Sequence, residues 1–183
     1  GTIYAQQKSG VPSSANWNSG LGTNGKLVAI NSDGTSKWNY ALGNNNNNSV
    51  PALASDGTIY IQAGDTNNNF YAFNPNGTVK WLYDVKPGTR YDWGTRTSPT
   101  IGSDGTIYQV SQYSTVDQKT RVYAFNPDGT IKWDYDLGYA LGDFSSSIAM
   151  ADNGTLYTTA QDEHIKALNP DGTLKWTSTD TTG

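Results

Sequence analysis

The segment Asn-Pro-Asp-Gly-Thr-Ile-Lys-Trp at Asn126–Trp133 decides how this chain is read, because the sequence repeats it. Versions stand at Asn31–Trp38, Asn74–Trp81 and Asn169–Trp176, each with glycine at its fourth position and Lys-Trp at its end. A second element, Gly-Thr-Ile/Leu-Tyr, stands at Gly1–Tyr4, Gly57–Tyr60, Gly105–Tyr108 and Gly154–Tyr157. The two alternate without exception, so the unit is roughly 50 residues long, a period that marks propellers, solenoids and arrays. Residues that recur are expected to hold the units together. Residues that break the pattern are the candidates for binding.

Composition agrees with an all-β chain. Glu163 is the only glutamate among 16 acidic residues, Asn is abundant and there are 20 glycines, so turn formers outweigh helix formers. A net charge of −4, with no basic run or stripe, argues against a nucleic-acid or anionic-membrane partner. With no cysteine, thiolate metal sites and disulfides are excluded. No apolar stretch approaches the ~18 residues of a membrane span.

Each unit divides into four short strands, A to D. Strand A is expected at Val50–Ala54, Ser98–Gly102 and Ser146–Met150, and strand B from Ile3, Ile59, Ile107 and Leu156. Strand C is expected at Leu27–Ile30, Phe70–Phe73, Val122–Phe125 and Ile165–Leu168, and strand D carries the Lys-Trp pairs. In the C–D connection, Pro suits the second position of a type I turn and Gly the left-handed position of a bulge. Gly34, Gly77, Gly129 and Gly172 are therefore expected at positive φ. Strand C is apolar on both faces, as in a sheet sandwiched between two others. Ala29, Ala72, Ala124 and Ala167 share one register there, a small residue where neighbouring sheets come close. Pro51 and Pro99 open strand A, which suits an inner edge. Four-stranded antiparallel sheets packed face to face make a β-propeller, here with blades at about 1–43, 49–85, 97–137 and 145–179. Trp38, Trp81, Trp133 and Trp176 recur in every blade, so they are read as wedges between blades rather than as a ligand-stacking ladder.

Ala124–Trp133 and its three sisters resemble the tryptophan-docking repeat of the PQQ-like, quinoprotein-type β-propellers, whose motif runs Ala-x-Asp-x-x-Thr-Gly-Lys-x-x-Trp. The version here is one residue shorter, with Asn for Asp and Gly-Thr for Thr-Gly. The resemblance spans essentially the whole chain and implies the fold. It does not imply one function, since the family includes dehydrogenases, assembly scaffolds and surface proteins. It also implies a ring of seven or eight blades, whereas the strand order here gives B-C-D followed by A-B-C-D three times. The remaining blades are expected from a longer polypeptide, or else from a second copy pairing with this one as a half-propeller.

The A–B and C–D turns share one face and are nearly invariant. The B–C and D–A loops share the other and carry the variation, which is where binding usually resides. Those loops hold the two tryptophans outside the repeat, Trp17 and Trp93, together with Tyr91, Tyr113, Tyr139 and Phe144. Arg90, Asp92 and Arg96 surround Trp93, and aromatic rings among such groups suit a carbohydrate or a polar protein surface. Packing of the same rings onto the blades is the structural alternative.

For an enzyme the resemblance implies a quinone-dependent dehydrogenase, with PQQ, calcium, a catalytic Asp and often a vicinal cysteine pair. No residue here matches those catalytic positions. His164 is the only histidine, and Asp92, Asp117 and Asp143 offer no more carboxylate pairing than any Asp-rich surface. The expectation is a non-catalytic binding or surface-scaffold module, extracellular or on the cell surface, with no cofactor or metal of its own. The alternative is a fragment of a PQQ-dependent dehydrogenase or of a polysaccharide-active enzyme.

Overall fold

The computed structural model describes residues 1–7, 25–43, 49–63, 69–84, 97–111, 119–139, 146–159 and 162–179. These residues form four antiparallel sheets and no helix. The first sheet is β1 (Ile3–Gln7), β2 (Gly25–Ile30) and β3 (Ser36–Gly43), and the second is β4 (Ala52–Leu53), β5 (Ile59–Gln62), β6 (Asn69–Phe73) and β7 (Val79–Asp84). The third is β8 (Thr100–Ile101), β9 (Ile107–Ser111), β10 (Lys119–Phe125) and β11 (Ile131–Tyr139). The fourth is β12 (Ala149–Met150), β13 (Leu156–Thr159), β14 (Ile165–Leu168) and β15 (Leu174–Thr177). Each sheet pairs its strands in sequence order, the up-and-down meander of a propeller blade. The four B strands begin at the four positions expected from the Gly-Thr-Ile/Leu-Tyr element.

The turn chemistry holds as read. Gly34, Gly77, Gly129 and Gly172 have φ of 85, 88, 90 and 86°, the left-handed region that only glycine enters without strain. The extra residue shows in the pairing: Ala72 faces Trp81 but Phe73 faces Val79, and the same slip recurs at Ala29/Ile30, Ala124/Phe125 and Ala167/Leu168. Polar side chains lock each C–D turn. Asp128 Oδ1 accepts from the Thr130 N–H at 3.0 Å and from its hydroxyl at 2.6 Å, while Asn126 Nδ2 donates to Thr130 Oγ1 at 2.9 Å. Every residue type in the Asn-x-Asp-Gly-Thr signature thus has a bond or a dihedral to satisfy.

Strand A is shorter than the sequence suggested, two residues in each case. Its expected first residues bond sideways instead of along the blade. The Val50 N–H donates to Ser98 Oγ in the next blade at 2.9 Å, and the Ser98 N–H donates to Ser147 Oγ in the one after at 3.2 Å. Pro51 and Pro99, which follow, have no N–H to give to strand B.

The core lies between blades rather than within one. Leu27 and Leu42 of the first blade pack with Ile59, Ile61 and Phe73 of the second. Tyr60 and Phe70 of the second pack with Ile107 and Phe125 of the third, and Val110 and Val122 of the third with Leu156 and Leu168 of the fourth. All five residues of β6 are buried, whereas β2, with a neighbour on one side only, alternates. Ala29, Ala72, Ala124 and Ala167 are fully buried, as their shared register implied.

Candidate functional site

The two ends of the blades differ in what their side chains are occupied with. At the turn end, three of the repeated tryptophans reach across to the following blade. The indole N–H groups of Trp38, Trp81 and Trp133 donate to the carbonyls of Pro75, Pro127 and Pro170, each at 2.9 Å. The rings lie over the turn glycines so closely that a Cβ on Gly77, Gly129 or Gly172 would stand 2.7, 2.8 or 2.6 Å from an indole carbon. These tryptophans are half-buried at the rim rather than deep in the core. Their role is to join blades.

The lysine of each Lys-Trp pair closes the other turn, a role the sequence reading did not assign. Lys80 Nζ donates to Thr58 Oγ1 at 3.1 Å and lies 3.5 Å from Asp56; Lys132 donates to Thr106 Oγ1 at 2.9 Å and to Asp104 at 3.1 Å. The Asp104 carboxyl is held at about 2, chiefly by the Thr106 N–H, then by its hydroxyl, with Lys132 adding to the effect against some desolvation. In the fourth blade Asn153 replaces the aspartate, and Lys175 keeps its bond to Thr155 Oγ1 at 3.1 Å. The recurrence of Lys and of the Thr after glycine in all four units was the available signal. Asp33, Asp56, Asp104, Asp128 and Asp171 on this end are committed to turns.

At the opposite end, the inner rim is lined by small hydroxyl residues. Besides the Ser98 and Ser147 bonds, Thr97 Oγ1 donates to the Val110 carbonyl at 2.8 Å, and Ser146 Oγ accepts from the Thr159 N–H at 3.1 Å. Gln109 is fully buried here; its Nε2 bonds Thr97 Oγ1 at 2.6 Å and the Val110 carbonyl at 3.0 Å. Its Oε1 has no partner among the described residues. Further out, Lys119 pairs with Asp136 and Arg121 with Asp134 across β10 and β11. In the fourth blade the B–C connection includes Glu163, whose φ of 64° is the one positive value among described non-glycine residues. Beside it Lys166 pairs with Asp162 at 2.6 Å. The ion pairs at this end, Lys119–Asp136, Arg121–Asp134 and Lys166–Asp162, are not repeated from blade to blade among the described residues.

The candidate ligand residues Arg90, Tyr91, Asp92, Trp93 and Arg96 lie outside the described residues, as do Trp17, Tyr113 and Phe144. Tyr139 ends β11, its backbone paired with Lys119. What the structure does place are the anchors. The segment with Trp93 runs from Asp84, the end of the second blade, to buried Thr97 at the inner rim of the third. The segment with Tyr113 joins β9 to β10 in that same third blade. Both spring from the end opposite the docked tryptophans. Among the described residues no three His, Asp or Glu converge as metal ligands.

Comparison with known proteins bears on the same architecture. Residues 88–183 match the family model described as outer membrane protein assembly factor BamB, and residues 21–101 match that of the lambda-carrageenase β-propeller domain. Lambda-carrageenase of Pseudoalteromonas carrageenovora is 27% identical over 118 residues, an alignment covering 56% of this chain and 12% of the carrageenase. Among solved structures, BamB from Moraxella catarrhalis superposes with a TM-score of 0.64 at 17% identity, over 83% of this chain and 46% of BamB. A Bacteroides caccae protein of unknown function gives 0.60 at 16% identity, over 97% of this chain and 57% of that one. The chain therefore spans about an eighth of the carrageenase and about half of the solved propeller-like chains. With four antiparallel sheets, glycine-bulge turns and tryptophans joined blade to blade, it belongs to the PQQ-like β-propeller family of the BamB model.

Proposed function

We propose that this chain is a non-catalytic binding module whose B–C and D–A loops meet a polysaccharide. The observation that carries this reading is the division of labour between its two ends. The turn end repeats its Asp/Asn–Thr and Lys–Thr bonds from blade to blade, and Trp38, Trp81 and Trp133 are committed to the turn of the following blade. Variation in length and sequence is concentrated at the other end, where a rigid scaffold holds loops rich in aromatic and charged residues. The similarity to the propeller domain of a carrageenase favours a polysaccharide over a protein surface, and an extracellular or cell-surface setting accompanies it. Trp93, flanked by Tyr91, Asp92, Arg90 and Arg96, is the natural anchor, because a flat indole stacks on a sugar ring while neighbouring polar groups take its hydroxyls.

The reading is tested by affinity electrophoresis and calorimetry of the chain on λ-carrageenan, with starch as a second polymer. Reducing-end release is followed in parallel. Retardation by λ-carrageenan without reducing-end release supports the module. Release of reducing ends would make the chain catalytic, and no retardation by either polymer would remove polysaccharide as the ligand. A second reading, a protein-assembly scaffold, rests on the match of residues 88–183 to the BamB model.

A further inference from the structure

The three seams between consecutive blades differ at the loop end, where strand B finishes. Alternate residues of that strand face opposite neighbours. Tyr60 packs with Ile107 and Phe125 across the seam between the second and third blades, whereas Ile61 packs with Leu27 of the first. Gln62 and Gln109 stand two residues on from Tyr60 and Ile107, so this middle seam receives both amides, each 0% exposed. At that level the seam between the first and second blades has half-buried Gln6 and fully buried Ile61. The seam between the third and fourth has Val110 and Thr158. Among the described residues, only the middle seam buries two amides there.

Stability does not account for Gln109. Its Nε2 lies 3.0 Å from the Val110 carbonyl, and a carbonyl only accepts, so the amide stands one way round. The same nitrogen donates to Thr97 Oγ1 at 2.6 Å, and that hydroxyl donates to the Val110 carbonyl at 2.8 Å. The three groups close a ring of bonds that clasps Thr97 to strand B. Oε1 is left buried with no partner among the described residues, which costs more than an apolar side chain would at that place. The second blade fills the same position with Ile61, equally buried. A local rule broken in this way marks a position held for function.

The seam continues outward in polar groups. The ring of Tyr83, from the second blade, lies 5.7 Å from that of Tyr123 in the third. Burial, with Asp134 and Asp84 nearby, pushes the Tyr83 hydroxyl above the ordinary phenol range. Asp134 pairs with Arg121, and both are partly exposed. We propose that the polymer binds along this middle seam, with Gln109 as the positioning residue that fixes Thr97 at its edge. The inference rests on the polysaccharide reading and gives it a place: Asp84 and Thr97, the anchors of the Trp93 segment, stand on opposite sides of the seam. Tyr83, Arg121 and Asp134 are the groups that meet sugar hydroxyls. Gln109, fully buried, acts through Thr97 and does not touch the sugar.

The test combines urea unfolding with calorimetry on λ-carrageenan, or on starch where that is the polymer the parent chain binds. Gln109→Ile installs the residue of the second blade; it is expected to keep or raise the urea midpoint and to weaken binding roughly tenfold. Gln109→Met, closer to the amide in shape, guards against crowding and is expected to behave alike. Thr97→Val is expected to weaken binding as well, and no further when combined with Gln109→Ile, because both break one clasp. Thr158→Val, at the same level between the third and fourth blades, is expected to leave affinity unchanged. Four results would overturn the inference while the polysaccharide reading stands: parental affinity in both Gln109 variants, a lowered midpoint or failure to fold in both, additive losses in the Thr97 pair, or an equal loss in Thr158→Val. A parent chain that binds neither polymer removes that reading, and this inference with it.

Discussion

Trp133 of the third blade donates its indole N–H to the Pro170 carbonyl of the fourth at 2.9 Å, and the same ring roofs Gly172, two residues further on. One side chain thereby reads two features of the neighbouring turn, its carbonyl direction and its lack of a Cβ. That double dependence explains why Asn-Pro-Asp-Gly and Trp repeat together: each is the other's binding surface.

Two glycine substitutions separate backbone strain from contact. Gly34→Ala and Gly172→Ala both place a methyl at positive φ, +85° and +86°, which costs about 1 kcal/mol. At Gly34 nothing is in the way, whereas at Gly172 the methyl meets the Trp133 ring at 2.6 Å. Gly172→Ala should therefore lose about 2–3 kcal/mol in urea unfolding and Gly34→Ala about 1 kcal/mol. Equal losses would mean that the indole does not seat on the glycine.

Removing the ring and removing its donor should differ as well. Trp133→Ala is expected to cost about 2–3 kcal/mol, below the ~3–5 kcal/mol of a fully buried aromatic because this one is half-buried at the rim. Trp133→Phe keeps most of the contact and forfeits the bond to Pro170, for about 1 kcal/mol. Chemical denaturation of both variants checks the ordering, and a Phe variant as damaged as the Ala one would contradict it.

Acid should act through the turn carboxylates. Asp104 sits at about 2 in the folded chain against an ordinary 3.8, because the Thr106 N–H and hydroxyl and Lys132 favour its charged form. A lowered value means stabilisation that is complete above about pH 4 and is lost as the pH falls towards 2. The gap corresponds to roughly 2 kcal/mol, and since more than half of the side chain is exposed, screening brings this to about 1 kcal/mol. Asp104→Asn keeps the turn acceptor, as Asn153 does in the fourth blade, so the variant should be about 1 kcal/mol less stable at pH 7, with most of that difference gone by pH 2. A difference undiminished at pH 2 would assign the effect to something other than the charge.

Most of the scaffold was legible because it is local and repeated. The positive φ of Gly77 follows from Asn-Pro-Asn-Gly alone, and the burial of Ala124 follows from its register within an all-apolar strand. What the repeat did not reveal are bonds between blades made by ordinary residues. The Val50 N–H to Ser98 Oγ stitch is such a case, since a serine before a proline reads equally well as a strand start. The shortened A strands follow from it. Lys132 lay in plain view in the motif, yet only the fold brings it 28 residues back to Asp104. The candidate ligand residues were legible only as departures from the pattern. A departure marks where to look; it does not specify the geometry of the contact.

The most direct test of the central claim is amide hydrogen exchange of the chain with and without saturating λ-carrageenan. The account predicts protection confined to the segments around residues 85–96 and 112–118, with the Asn126–Trp133 turn unchanged. In Trp93→Ala that protection should need about tenfold more polymer, in line with the ~1–3 kcal/mol typical of an aromatic stacking contact. Asp171→Asn, on the turn face, should behave as the parent chain. Protection centred on the turns, or an unaltered titration in Trp93→Ala, would contradict a ligand face formed by the B–C and D–A loops.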